Sequence, residues 1–252
     1  MVYGIYQSAA GLQLNQYRQE VLANNLANLE TAGFKHDLTV VRERPLAMRE
    51  PGGRPDWSNR TLNGLTGGSY VAPTYTSFAQ GPLEHTGGRL DVALFGSGFF
   101  TVQDGDAIRY TRDGRFVVNA NGELTTVSGH IVLGEDGSPI RIPAEVADKV
   151  TITAGGDVRA GDLQLGRLAV VDFENKQALR KIGGNLFDAG QAEPVEAQAT
   201  LQPGFYEGST VEPTKAMVSM IEVSRAYELN ATLVGLADST LGRAVNDIAR
   251  LG

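Results

Sequence analysis

The residues of this 252-residue chain that could do chemistry are few and scattered. His36, His85 and His130 stand far apart, and no His-Glu-x-x-His pair, phosphate loop, Gly-x-Ser-x-Gly elbow or dinucleotide fingerprint occurs. Gly96-Ser97-Gly98 could in principle expose a serine nucleophile, but a serine between glycines at a strand junction reads as a turn. Asp104, Asp106 and Asp113 could offer carboxylates to calcium, yet they lack the glutamate and loop length of an EF-hand. Asp56, Glu84 and His85 have the types for acid/base work, with nothing in the sequence to bring them together. Trp57 and Tyr70, with Arg54 and Arg60, could build a sugar-stacking surface. That is the sole support for a competing reading as an exported carbohydrate-binding or adhesive protein. With no cysteine there is neither a disulfide nor a thiolate metal site. The sequence therefore predicts no catalytic residue, no cofactor and no metal.

The polar residues that do cluster are asparagines. Asn24, Asn25 and Asn28 fall in a stretch whose helical spacing runs through Ile5, Ala9, Leu12, Leu22, Leu26 and Leu29. Asparagine is a poor helix former, so this grouping implies either hydrogen bonding between helices or fraying toward a stop near Gly33; a solvated polar face is the plain alternative.

A stronger helix is predicted from Val211 to Leu251. Steps of three and four give Met217, Met220, Ser224, Tyr227, Ala231, Val234, Asp238, Leu241, Val245 and Ile248. A second apolar line runs through Ile221, Leu229, Leu233, Leu236, Ala244 and Leu251, so one neighbour alone would leave one line in water. Ser209 and Glu212 have capping-box spacing, Thr210 is an alternative N-cap, and Pro213 suits the first turn.

Between the helical ends, residues 35–88 show no clean period and carry repeated Gly, Pro and Asn clusters, with strand pairing expected around Tyr70–Phe78. From Arg89 onward, short β-branched and aromatic runs alternate with turn pairs at Asp104-Gly105, Asp113-Gly114, Asn121-Gly122, Asp136-Gly137 and Gly155-Gly156. The runs are Leu90–Phe95, Phe99–Gln103, Ile108–Thr111, Phe116–Asn119, Glu123–Val127, Ile131–Leu133, Ile140–Ile142, Val150–Thr153 and Leu165–Phe173. Gln177–Tyr206 reads as turn-rich. The expected fold class is α+β: N- and C-terminal helices (1–34 with 209–252) pairing as a coiled-coil-like base, a connector at 35–88, and an inserted antiparallel all-β domain at 89–208.

The net charge of −7 and the absence of a long basic run argue against nucleic acid as a partner. No apolar run reaches the ~18 residues of a membrane span, and the first cation is Arg18, so neither membrane insertion nor a cleaved secretory signal is expected.

Three separated runs carry a resemblance: "LANNLANLETAGFK" (Leu22–Lys35), "LDVALFGSGFF" (Leu90–Phe100) with "YTRDGRFVVNANGEL" (Tyr110–Leu124), and "EGSTVEPTKAMVSMIEVSRAYELN" (Glu207–Asn230). Together they resemble the flagellar basal-body rod and hook family. The resemblance implies a structural, non-enzymatic subunit whose terminal helices form the inner layer of a tubular filament. Its implied partners are copies of itself, other rod and hook proteins, and the flagellar type III export apparatus. On the family motif and the helix pattern together, the expected assembly residues are Leu12, Leu22, Leu26, Met217, Met220, Ile221, Tyr227, Val234 and Leu241 for packing. Asn24, Asn25, Asn28, Arg225, Glu228 and Asn230 are the expected polar register-setters.

Overall fold

The computed structural model describes residues 2–43 and 68–250. The tryptophan-loop residues Arg54, Asp56, Trp57 and Arg60, and Leu251 of the second apolar line, lie outside these. Helices α1 (Val2–Ala27) and α2 (Pro213–Arg250) bracket β1 (Asp37–Leu38), β2 (Val41–Glu43), β3 (Ser69–Val71), β4 (Tyr75–Thr76), β5 (Leu83–His85), β6 (Val92–Phe95), β7 (Phe99–Asp104), β8 (Ala107–Thr111), β9 (Phe116–Val118), β10 (Leu124–Thr126), β11 (Ile131–Val132), β12 (Val150–Ile152), β13 (Asp157–Ala160), β14 (Leu163–Arg167), β15 (Val170–Asp172), β16 (Arg180–Gly183), β17 (Leu186–Asp188), β18 (Val195–Glu196), β19 (Thr200–Pro203) and β20 (Phe205–Glu207). The architecture is α+β, with the terminal helices packed together and an all-β domain inserted between them.

The chain divides into two compact units: residues 1–27, 37–75 and 212–252, and residues 28–36 with 76–211. In the helical unit, α1 and α2 run antiparallel: Gln19 donates to Ser224 Oγ (3.1 Å), while Gly11, earlier in α1, faces Asn230, later in α2. β2 pairs with β3, and β3 lies beside α1. The capping box is not formed. Ser209 Oγ accepts from Val211 N, the first α2 turn closes with Ala216 N donating to Glu212 O (2.9 Å), and the Thr210 hydroxyl is engaged by residues 34 and 36.

The β unit is built on β7, the longest strand. One edge pairs with β8; the other splits, giving Phe99 and Phe100 to β15 and Val102 and Gln103 to β11. The main sheet runs β16-β17-β8-β7-β11-β10-β9, with β18 on β15. The expected strand Leu165–Phe173 is two: β14 belongs to a three-stranded sheet with β12 and β13, and β15 crosses to β7. Between them, Leu168 N bonds to Gly156 O and Ala169 N to Leu133 O, so the ladder changes partners there. Asp104-Gly105, Asn121-Gly122 and Gly155-Gly156 join paired strands as expected. Asp113-Gly114 does not, because β8 and β9 pair with other strands. There the chain passes so close to β6 that a Cβ on Gly114 would lie 1.7 Å from Val92 O. The stretch expected to be turn-rich carries β16 to β20. One core contains Val92, Leu94, Phe100, Val102 and Leu124; a second stacks Phe99, Tyr110, Phe173 and Phe187, with Phe99 and Phe187 centroids 5.5 Å apart.

Candidate assembly interface

α2 outruns its partner, at 38 residues against 26 for α1, and it is apolar on more of its circumference than α1 can cover. Its inward side is lined by Ala216, Met220, Val223, Asn230, Val234, Ala237 and Leu241, all buried or half-buried, with Val223 only 2% exposed. At Gly11 the approach is closest: a Cβ there would sit 2.9 Å from Asn230 Oδ1, and the Asn230 amide is anchored by donating to Ala226 O (2.9 Å).

The outward side carries Met217 (52% exposed), Val218, Ile221, Leu229 (66%), Leu233, Leu236 (58%) and Val245. The 3-4 line through Met217, Tyr227, Ala231, Asp238 and Val245 is thus exposed for much of its length, while Met220, Val234 and Leu241 from the same line turn inward. Ala216 and Val223, which the structure puts in the seam, did not stand out in the sequence because the line was drawn one position away. A run apolar over more than half a turn does not reveal which side is taken.

The other expected residues fall as follows. Leu12, Leu22 and Leu26 are half-buried on α1, Asn24 is exposed, and Arg225 and Glu228 are exposed on α2. Asn25 is buried and engaged within its own chain: Nδ2 donates to Asp37 O (2.8 Å), and Asp37 N donates to Oδ1 (3.0 Å). Asn28 accepts from Thr31 Oγ1 (3.1 Å) just beyond the helix end.

The side chains considered for catalysis or metal binding do not converge. Ser97 Oγ accepts from Lys176 Nζ (3.0 Å), Asp113 holds Arg115 through both oxygens, and His130 Nδ1 stands 3.4 Å from Asp104. His85 stacks on Phe205, and Glu84 accepts from the Tyr206 hydroxyl, whose pKa that bond raises. Among the described residues no cluster of His, Asp or Glu could hold a metal ion, and no helix is long and apolar enough to cross a membrane.

What the sequence did not disclose is a buried ion network in the β unit. Glu207, wholly buried at the end of β20, accepts from Lys35 Nζ (2.6 Å) and Gly81 N (2.7 Å) on Oε1, and from Arg112 Nη1 (3.1 Å) on Oε2. Lys35 also donates to Ala79 O (2.6 Å), and Arg112 Nη2 to Gly96 O (2.7 Å). Burial pulls the Lys35 ammonium down to about 8 against the attraction of Glu207, with Arg112 adding to the fall; burial likewise lowers Arg112. Each of the three lies in one of the quoted sequence runs, at the end of the first, inside the Tyr-Thr-Arg-Asp-Gly corner, and at the start of the last. For Lys35 and Glu207 a charge beside an aromatic residue, Phe34 or Tyr206, was the available signal; Arg112, between Thr111 and Asp113, offered none.

Along the chain, three family descriptions match: "Flagella basal body rod protein" over residues 5–35, "Flagellar hook protein FlgE/F/G D1 domain" over 93–160, and "Flagellar basal body rod FlgEFG protein C-terminal" over 202–247. The flagellar basal-body rod protein FlgG of Buchnera aphidicola subsp. Acyrthosiphon pisum is 34% identical, covering 96% of this chain and 98% of its own length. FlgF of Caulobacter vibrioides is 34% identical over 92% of this chain and 91% of its own, and FlgF of Salmonella typhimurium 34% over 97% of each.

Proposed function

Since the chain belongs to the flagellar basal-body rod protein family and is a structural subunit of the rod, we propose that it assembles through the uncovered side of α2. The observation that carries this reading is the exposed apolar line Met217, Ile221, Leu229, Leu233 and Leu236, on a helix whose other side α1 already occupies. Burying such side chains is worth about 1.5–3 kcal/mol each, which supplies the drive for association. The partners are further copies of this chain and other rod and hook proteins, stacked head to tail in an arrangement that need not close on itself. Arg225 and Glu228, exposed beside this line, and Tyr227, at the rim of the seam, set which neighbours fit, and the interlocked helices carry torque from motor to hook. The subunit reaches the periplasmic rod through the flagellar type III export apparatus, without a cleaved signal peptide.

Within the rod we favour the proximal position, because the opening Tyr3–Gly11 run, the Gly129–Pro143 segment and the Leu165–Phe173 run resemble the proximal-rod protein. The Arg225–Glu228 segment resembles the distal-rod protein instead, and labelling this subunit in purified basal bodies separates the two.

The test of the assembly surface is Leu233→Asp with Leu236→Asp. Both residues are exposed in the single chain, so the purified variant should melt within about 0.5 kcal/mol of the parent. Cells carrying it should lack rods beyond the point where this subunit enters. Intact basal bodies and normal motility would overturn the surface assigned here.

A further inference from the structure

Residues 31–36 form a strap that is fastened onto the β unit along its length. Gly33 N donates to Glu207 O (2.6 Å), the Asn185 amide donates to Ala32 O, and Lys181 donates to Lys35 O while its ammonium lies 4.3 Å from the centre of the Phe34 ring. Thr210 N donates to Phe34 O (3.0 Å), and His36 N to Thr210 Oγ1 (2.9 Å). Gly33 adopts φ +68°, and a Cβ there would stand 2.5 Å from the Arg112 carbonyl carbon, so the strap presses directly on the Arg112 corner.

The charge balance at this contact is uneven. Lys35 and Arg112 each bring a buried cation, and Glu207, which comes 172 residues after Lys35, is the carboxylate that bonds to both, while Asp172 adds only a through-space attraction on Arg112. With Glu207 absent, docking the strap would bury an ammonium beside a guanidinium with no carboxylate bonded to either, which costs far more than the strap's neutral hydrogen bonds return. We infer that Glu207 is the latch of this strap: residues 31–36 dock on the β unit only after Glu207 is seated between Lys35 and Arg112.

The order of events follows from the chain. Synthesis delivers Lys35 and Arg112 first, and neither can be buried on the other. The strap stays open until β20, the last strand, supplies the carboxylate. Strap closure is thereby a completion signal for the β unit. It also fixes residues 33–36 and 207–210, through which the chain leads from α1 and on to α2.

The test uses the full chain and hydrogen exchange at the Gly33 and His36 amides. Glu207→Gln keeps the shape and removes the charge; it should speed exchange at both amides by about a hundredfold or more, while β7 and β8 amides stay protected. Trypsin should then cut after Lys35. Adding Lys35→Met to Glu207→Gln removes one of the two unanswered cations and should restore most of the protection, and Lys35→Met alone, which leaves Glu207 and Arg112 paired one to one, should keep the strap docked. Unchanged protection in Glu207→Gln overturns the inference. So does failure of Lys35→Met to rescue, which would mean that lost hydrogen bonds, not unpaired charge, open the strap. If Glu207→Gln unfolds β7 and β8 as well, recovery of those strands in the double variant supports the latch, and its absence refutes it.

Discussion

Asn25 offers the sharpest perturbation of the helical unit, because its side chain does the work of a neighbouring strand. It is 4% exposed and answers both main-chain polar groups of Asp37, donating at 2.8 Å and accepting at 3.0 Å. Alanine would remove both partners together. Each backbone group left unanswered in a buried setting costs about 1–3 kcal/mol. Alanine's better helix propensity returns about 0.7 kcal/mol or less. Asp37 is only half-buried, so water recovers part of the loss and the net destabilisation should be about 1.5–3 kcal/mol. Urea melts followed by helical circular dichroism give the energies, and hydrogen exchange at the Asp37 amide reports the bond itself. An Asn25→Ala protein as stable as its parent, or one whose Asp37 amide exchanges no faster, would refute the reasoning.

Gly33→Ala forces a Cβ into the Arg112 backbone at a left-handed residue, and should cost on the order of 3 kcal/mol, read as a lower urea midpoint of the β unit; an unshifted midpoint would contradict the close approach. Because Lys35 sits near 8 when folded and 10.5 when free, its penalty is full below pH 8, and between those values the unfolded chain holds a proton that the folded chain has released. Stability relative to Lys35→Met should therefore rise by about 3 kcal/mol from pH 8 to pH 10.5, and a flat difference would rule the shift out. Val234→Asp, in the α1–α2 seam, should loosen the helix pair by several kcal/mol, and Tyr227→Asp, seven residues from both Met220 and Val234 and at the rim of that seam, should loosen it less; both should block rod assembly, and motile cells with either would count against the seam.

Much of the architecture could be read locally. The α2 start, its apolar excess, and the alternation of strands with Asp-Gly and Asn-Gly turns all follow from preferences that act over a turn of helix or a single hairpin. The two apolar lines of α2 were therefore legible. Which line meets α1 was not, because Gly11 faces Asn230 by leaving room for its side chain, a fit that only the facing helix can select. Asn25 was visible as a polar residue out of place, but its partner, Asp37, lies beyond the helix end, where no periodicity reaches. The strands from Arg180 to Glu207 escaped notice because most are short and take their cover from partners such as β6, β8 and β5 that precede them by many residues. Glu207 is the extreme case. Its local sequence marks only a charge before a glycine; the meaning of that charge is set when the chain's path brings Lys35 and Arg112 to it, and a buried carboxylate is stable there because two cations and the Gly81 amide answer it.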